Sequence, residues 1–207
     1  MHLSRVFTGF VGFASGTSAF SIPSSDNFNL VSRDASGVDT CTLATSATAN
    51  ASIQLSSWIE CQINGFFPYP ENGAWDTVFA SAFSKDLKAT FNDTQYGYDG
   101  WLQLYKSFNV TLGRSFSKFQ HGFTSSLAVP NSSGDKGGMV YVIGWEGGRT
   151  VLGKDVWFSD AAFAVVKDVG GARKVVEFRE SSNIPNSAPL PPENPWTCAF
   201  DHRHYGP

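Results

Sequence analysis

The chain has 207 residues, of which 42% are hydrophobic and 14% aromatic, and its formal net charge is -3 at pH 7. This nearly balanced charge provides no basic patch, so the composition argues against nucleic acid as a partner. The length suits one domain with a sizeable core. The 18 phenylalanines indicate a core or a cavity that is lined by aromatic rings.

The N-terminus has the features of a secretory signal peptide over residues 1–19. A short cationic opening that includes Arg5 precedes an apolar run over 6–14, and small residues then lead to Ala19. That order is typical of a cleaved leader, and an ordinary core segment is the alternative. The apolar run is shorter than the roughly 20 residues that span a bilayer. We therefore predict a secreted, extracellular protein without a membrane-spanning segment.

The predicted elements begin after a polar, loose extension over residues 20–45. Apolar residues near helical spacing and the stop signals that follow them place the next elements. These are a long helix from Ala47 to Ile63, a short helix over 75–83, a strand over 87–91 and a helix over 98–108.

Beyond residue 119 the apolar pattern has a period of two, which is typical of strands. Gly147-Gly148 is expected to form a turn and Gly170-Gly171 a hairpin. The proline-rich residues 184–207 predict an extended tail. Helices followed by a run of strands predict one α+β domain over residues 46–183.

Four acceptor sequences for N-glycosylation support the secreted compartment. They begin at Asn50, Asn92, Asn109 and Asn131, and each has the Asn-x-Ser/Thr pattern. Such patterns also arise by chance in a chain rich in serine and threonine, so they corroborate the leader without proving it.

Three cysteines, Cys41, Cys61 and Cys198, follow the predicted leader. In an oxidising compartment two of them should pair and leave one thiol. We expect Cys198 to be bonded, with Cys41 or Cys61 as its partner, because the tail after Asn183 needs an anchor. The cysteines lack a Cys-x-x-Cys spacing, which argues against a zinc site.

Several short sequences add to this element order: Trp75-Asp76, Phe83, Asp86-Leu87 and Gly97-Tyr98-Asp99-Gly100-Trp101. Together they resemble the cone fold of nuclear transport factor 2 and SnoaL-like polyketide cyclases, and more distantly scytalone dehydratase. The resemblance covers residues 46–183. It implies three N-terminal helices packed in a curled, mostly antiparallel sheet that encloses an apolar pocket. It also implies a homodimer formed through the outer face of the sheet.

The resemblance implies a class of function as well. Proteins of this fold include cofactor-free dehydratases, isomerases and cyclases that act on small aromatic, polyketide or terpenoid molecules. A secreted protein that only binds a ligand or a partner is the alternative, because fold alone does not choose between them. A small hydrophobic molecule is the expected partner, and neither a cofactor nor a metal is expected.

Two residues are the candidates for catalysis. Phe119-Gln120-His121 resembles the strand that supplies a catalytic histidine in scytalone dehydratase. Trp75-Asp76 resembles the start of its second helix, where a catalytic carboxylate lies four residues earlier, at the position of Glu71. Residues 139–151 contain no histidine, although that enzyme has its second one there. The resemblance implies that His121 acts as acid and base, with Glu71 as its partner.

A histidine suits this chemistry because its ordinary pKa is near 6.5, and a carboxylate beside it would raise that pKa. The alternative is that His121 is a buried residue with one structural hydrogen bond. The expected lining of the pocket consists of Tyr69, Phe91, Tyr98, Phe119, Phe123 and Tyr141. The tyrosines among these residues could instead pack in the core.

Overall fold

The computed structural model describes residues 31–32, 39–69 and 73–184. Its helices are α1 (Thr40–Thr45), α2 (Ala51–Phe66), α3 (Trp75–Ala82) and α4 (Tyr98–Ser115). Its strands are β1 (Val31–Ser32), β2 (Phe83–Phe91), β3 (Thr94–Tyr96), β4 (Phe116–Pro130), β5 (Gly138–Thr150), β6 (Asp155–Val169) and β7 (Ala172–Ser182). The predicted signal peptide lies outside the described residues, as does the predicted tail beyond residue 184.

The seven described strands form one sheet in the order β1-β4-β5-β6-β7-β2-β3. Strands β4 to β7 form an antiparallel meander, and β2 pairs with β7 in the parallel direction. Helices α2, α3 and α4 share one core with the inner face of this sheet. The prediction of helices packed in a curled, mostly antiparallel sheet is therefore confirmed. No helix among the described residues is long and apolar enough to span a membrane.

Aromatic rings fill the core between the helices and the sheet. The ring of Phe66, at the end of α2, lies 6.2 Å from the ring of Phe79 and 4.9 Å from that of Phe83. Tyr105 of α4 packs against both Phe66 and Phe79. Full burial of a phenylalanine stabilises a fold by about 1.5–3 kcal/mol. These rings therefore hold α2, α3 and α4 against the start of β2.

Residues 40–45, predicted as part of a loose extension, form helix α1. The carboxylate of Asp39 caps this helix by accepting a hydrogen bond from the backbone N–H of Thr42 at 2.9 Å, which lowers the pKa of Asp39. Cys41 of α1 forms a disulfide with Cys61 of α2. The predicted bridge between Cys198 and either of them is therefore wrong, and Cys198 itself lies outside the described residues.

We expect the Cys41–Cys61 disulfide to stabilise the domain. The bonded cysteines are 20 residues apart, and a bridge over such a loop restricts the unfolded chain. Replacing both cysteines by serine should lower the free energy of unfolding by about 2–4 kcal/mol, measured by denaturant titration against the oxidised wild type. Peptide mapping without reductant is the control, and a bridge that contains Cys198 would contradict the assignment.

Gly147 and Gly148 lie inside strand β5, so the predicted turn at these residues is wrong. Both have a φ of 147°, a conformation that residues other than glycine rarely adopt. A Cβ at Gly147 would lie 2.2 Å from the carbonyl oxygen of Val156, and one at Gly148 would lie 2.1 Å from that of Lys118. Because both oxygens belong to the backbone, these glycines allow β4 and β6 to approach β5 closely.

The outer face of β5 carries a row of exposed apolar side chains, which are Met139, Tyr141, Ile143 and Trp145. Side chains alternate between the two faces of a strand, and these four residues alternate with the buried Val140 and Val142. Tyr141 is 51% exposed, and its ring packs against Phe163 of β6 at 4.9 Å. Tyr141, which was predicted to line the pocket, therefore lies on the opposite face of the sheet.

The four predicted glycosylation sites differ in exposure. Asn50 and Asn131 are exposed, whereas Asn109 and Asn92 are half-buried. The side-chain amide of Asn92 donates to the carbonyl oxygen of Ile184 at 3.0 Å, and its oxygen accepts from the backbone N–H of Ser182 at 2.8 Å. Asn92 thus fastens the end of β7, whereas the exposed sites have no comparable bond to a distant strand.

Candidate functional site

A small cavity lies between the inner face of β4 to β7 and the helices α2 and α4. Its volume is ≈ 30 Å³, enough for about two water molecules at about 10–15 Å³ each. Five polar side chains border it: Tyr105, His121, Glu146, Asp160 and Glu180. Most of the remaining lining is apolar or aromatic, so these five groups determine its chemistry.

The register of three adjacent strands brings the three carboxyl groups together. Gly144 of β5 pairs with Asp160 of β6, and Ala162 of β6 pairs with Glu180 of β7. Residues two apart in a strand point to the same face, so Glu146 shares the inner face with Gly144, and Asp160 shares it with Ala162. The three carboxyl groups therefore form a diagonal row across β5, β6 and β7. Each is displaced by two residues from the register partner of the one before it.

Asp160 lies directly over Gly144. A Cβ at position 144 would be 2.5 Å from Oδ1 of Asp160, so the lack of a side chain at Gly144 makes room for this carboxyl group. This close approach places the carboxyl group at the wall of the cavity.

Burial raises the pKa of all three carboxyl groups, because it disfavours their charged forms. It raises the pKa of Asp160 to about 6, although the nearby backbone N–H of Gly144 acts in the opposite direction. Burial, and then the charge of Asp160, raise the pKa of Glu180 to about 8. The pKa of Glu146 is well above its ordinary value, mainly through burial and then through Asp160 and Glu180. At neutral pH Asp160 is therefore mostly ionised and Glu180 mostly protonated.

Tyr105 of α4 faces this cluster from the helical side. The residue is only 3% exposed, and its hydroxyl group makes no hydrogen bond with any described residue. Burial raises its pKa, and the charges of Glu180, Glu146 and Asp160 raise it further. The hydroxyl group therefore stays protonated and can donate a hydrogen bond into the cavity.

His121 of β4 borders the cavity, but its hydrogen-bond partner is an amide. Its Nε2 lies 3.0 Å from Oδ1 of Asn64, and its ring packs 4.5 Å from that of Phe67. Glu146 is its register partner on β5, yet burial decides the titration and lowers the pKa of His121. The predicted rise requires a carboxylate beside the ring, and among the described residues burial alone accounts for the lowered pKa.

The other predicted site residues lie apart from this cluster. Glu71, the expected partner of His121, is outside the described residues. Phe123 borders the cavity. Four residues do not border it and pack elsewhere in the core: Tyr69 and Phe119 against each other, Phe91 against Phe108 and Tyr98 against Phe79. Among the described residues, no group of three or more histidine, cysteine or acidic side chains is arranged to hold a metal ion.

The three carboxyl groups were missed in the sequence, although it contains a signal for them. Asp160 follows Phe158 by two positions and Glu180 follows Phe178 by two, and both phenylalanines are buried. Glu146 stands in the same relation to the inward Gly144. An acidic residue on the apolar face of a strand is rarely buried without a partner or a function, so this pattern marks a candidate site.

No family model matches the chain, and no curated protein matches it. The solved structures with a similar chain course include nuclear transport factor 2-like and SnoaL-like proteins. One is a nuclear transport factor 2-like superfamily protein from Salmonella enterica serovar Typhimurium, with 16% identity and a TM-score of 0.45 over 65% of this chain and 94% of that chain.

A candidate isomerase of the SnoaL-like family from Agrobacterium tumefaciens has 10% identity and a TM-score of 0.43, over 62% of this chain and 97% of that chain. A candidate SnoaL-like polyketide cyclase from Jannaschia has 16% identity and a TM-score of 0.41, over 66% of this chain and 90% of that chain. These likenesses concern the course of the chain, and no activity follows from them.

Proposed function

We propose that the protein is a secreted, cofactor-independent lyase or isomerase that acts next to a carbonyl group of a small aromatic, polyketide or terpenoid molecule. The observation that carries this proposal is the convergence of Asp160, Glu180 and Tyr105 on one cavity. Such a reaction needs one group to remove a proton from carbon and another to give a proton to oxygen. The Cys41–Cys61 disulfide and the leader pattern support secretion, since disulfides persist in oxidising compartments.

The different pKa values of the two carboxyl groups support a division of roles. Asp160, with a pKa of about 6, is the base that removes the proton from carbon. Glu180, with a pKa of about 8, donates a proton to the carbonyl oxygen, and the hydroxyl group of Tyr105 hydrogen-bonds to the same oxygen. Environments that push two such values apart are a mark of acid and base pairs.

The size of the cavity limits what can enter it. A volume of ≈ 30 Å³ takes the reacting group of a substrate but not a whole aromatic molecule. Phe123, which borders the cavity and stays partly exposed, forms part of its rim. The apolar remainder of the substrate is therefore expected to lie against this rim.

Exchange of carbon-bound hydrogen for solvent deuterium tests the proposal without knowledge of the product. Small aromatic ketones and cyclic diketones are incubated with the protein in deuterated buffer at pH 7, and proton NMR follows the signal of the carbon next to the carbonyl group. We expect the protein to accelerate exchange in at least one compound, and the Asp160→Asn variant not to. Exchange that is equal in both proteins would contradict the catalytic role.

A second candidate function is binding without chemistry. The small cavity volume favours it, because a larger substrate would need the walls to move before its reacting carbon reached Asp160. In that case isothermal titration calorimetry would show that an aromatic compound binds, yet no compound in the panel would exchange its hydrogen. The two measurements on one sample therefore separate the enzyme from the binding protein.

A further inference from the structure

The cavity contains acidic groups without any counter-charge. Glu146, Asp160 and Glu180 border it from β5, β6 and β7, and none of the described residues that border it is a lysine or an arginine. The titratable group on β4 is His121, whose pKa burial lowers, so it remains neutral at pH 7. The titratable group on α4 is Tyr105, while α2 contributes Ile63 to the lining. Any charge in the cavity is therefore negative.

Two polar side chains that are almost fully buried lack hydrogen-bond partners at this cavity. Tyr105 is 3% exposed and Glu146 is 5% exposed, and neither side chain makes a hydrogen bond with another described residue. Leaving such a group unpaired is unfavourable, and most buried polar groups have a partner. Tyr105 belongs to a helix and not to the acidic cluster, so it indicates independently that a polar ligand completes the site.

We propose that the ligand of this cavity carries a protonated amino group, which binds among the carboxyl groups of Glu146, Asp160 and Glu180. An ammonium group has three N–H donors and no acceptor, which matches three acidic acceptors on adjacent strands. It also supplies the positive charge that the site lacks, whereas a carboxylate or phosphate ligand would be repelled. The ammonium head is small enough for a volume of ≈ 30 Å³.

The aromatic lining favours the same ligand. Phe67, Phe123 and Phe178 border the cavity together with Tyr105, and the faces of such rings attract organic cations. The apolar part of an aromatic amine would lie against the rim at Phe123. This inference rests on the ligand pocket of the proposed function. An ammonium group bound there takes the place of the reacting carbonyl group, so the amine competes with the substrate of the catalytic step.

Benzylamine and benzyl alcohol are the probes for this inference, because they have nearly the same shape and differ in charge. Isothermal titration calorimetry on the oxidised full-length protein compares them at pH 5 and pH 8. Asp160, with a pKa of about 6, is only about one-tenth ionised at pH 5, whereas benzylamine stays protonated throughout. We therefore expect benzylamine to bind about tenfold more tightly at pH 8, and the affinity of benzyl alcohol not to change.

Two isosteric variants and one control locate the binding site. Asp160→Asn removes a carboxylate that is ionised at pH 8 and keeps its shape, so it should weaken benzylamine binding at that pH by about 10- to 100-fold without weakening benzyl alcohol. Glu180→Gln removes a carboxyl group that is about half ionised at pH 8, so it should weaken benzylamine binding in the same direction but less. Glu177→Gln is the matched control, because Glu177 lies on the same strand as Glu180 and bonds to Arg179 outside this cavity. It should bind both probes like the wild type.

Each of the other outcomes overturns the inference. If benzyl alcohol binds as tightly as benzylamine at pH 8, the pocket of the proposed function stands and the preference for an amine is rejected. If neither probe binds while deuterium exchange occurs in an uncharged ketone, the amine is rejected and the catalytic proposal stands. Benzylamine binding that the Asp160 and Glu180 variants leave unchanged places the amine elsewhere on the protein.

Discussion

Replacing Asp160 by asparagine is expected to lower the rate of proton transfer by about 10²–10⁴-fold, the usual contribution of a general base. Asparagine has nearly the same shape, so the fold should survive. Removing a buried carboxyl group also removes the unfavourable desolvation of its charged form. The measurement is the rate of deuterium exchange in the compound that the wild-type protein processes, with thermal unfolding of both proteins as the control for folding.

The pH dependence of this rate provides a second measure of the same assignment. The base must be ionised, which requires a pH above the pKa of Asp160, about 6. The acid must be protonated, which requires a pH below the pKa of Glu180, about 8. The profile should therefore be bell-shaped with its maximum between these values, and Glu180→Gln should remove its alkaline limb.

His121 is the residue that could take the role of Asp160. The sequence predicts His121 as the acid and base, and it borders the same cavity. If His121→Ala loses the activity while Asp160→Asn stays near the wild-type rate, the base is His121 and the assignment to Asp160 is rejected. A moderate loss in His121→Ala that accompanies lower thermal stability would instead reflect the packing of its ring against Phe67.

Glu180 should make the folded protein less stable as the pH rises. The pKa of its buried carboxyl group is raised from 4.5 to about 8, so the folded state holds a proton that the unfolded state has released. The stabilisation is complete below the unfolded pKa and is lost as the pH approaches 8, at about 1.4 kcal/mol per pH unit for one proton. From pH 6 to pH 7.5 the free energy of unfolding should fall by about 2 kcal/mol.

Glu180→Gln removes this contribution because glutamine does not titrate. Denaturant titrations at several pH values should therefore give the variant a flatter dependence, and a free energy of unfolding about 2–4 kcal/mol above the wild type at pH 8. The free energy of unfolding of the variant should still fall somewhat with pH, because the pKa of Glu146 is also raised. Glu177→Gln, on the opposite face of β7, should keep the wild-type slope. Identical slopes in wild type and Glu180→Gln would show that Glu180 ionises freely in the folded protein.

The fold could be predicted because its signals are local. Apolar residues at helical spacing in α2, the stop signals after Phe66 and the period of two beyond residue 119 each concern only a few neighbouring residues. The error at Gly147-Gly148 arose because a glycine pair reads as a turn unless the strands on both sides are known. Helix α1 was missed because it is short and polar, and its disulfide to α2 is a contact that spacing cannot predict.

The site could be predicted only in part because it depends on register between strands. His121 and Phe123 both border the cavity, since alternation within β4 determines their face. Asp160, Glu180 and Glu146 meet only because β5, β6 and β7 pair with a particular stagger. No single segment contains that information. The carboxylate expected beside His121 was therefore sought near α3, whereas the described carboxyl groups lie on the sheet.

The parallel pairing of β2 with β7 has a consequence for the order in which the chain can fold. Asn92 at the end of β2 bonds to Ile184, 92 residues later. A ribosome adds about 5–20 residues per second, so β7 is synthesised roughly 5–20 s after β2. Until then the helices have no closed sheet around them and the carboxyl groups of β5 and β6 face water. The cavity therefore forms last, and a chain stopped before β7 would lack the wall of the cavity that contains Glu180.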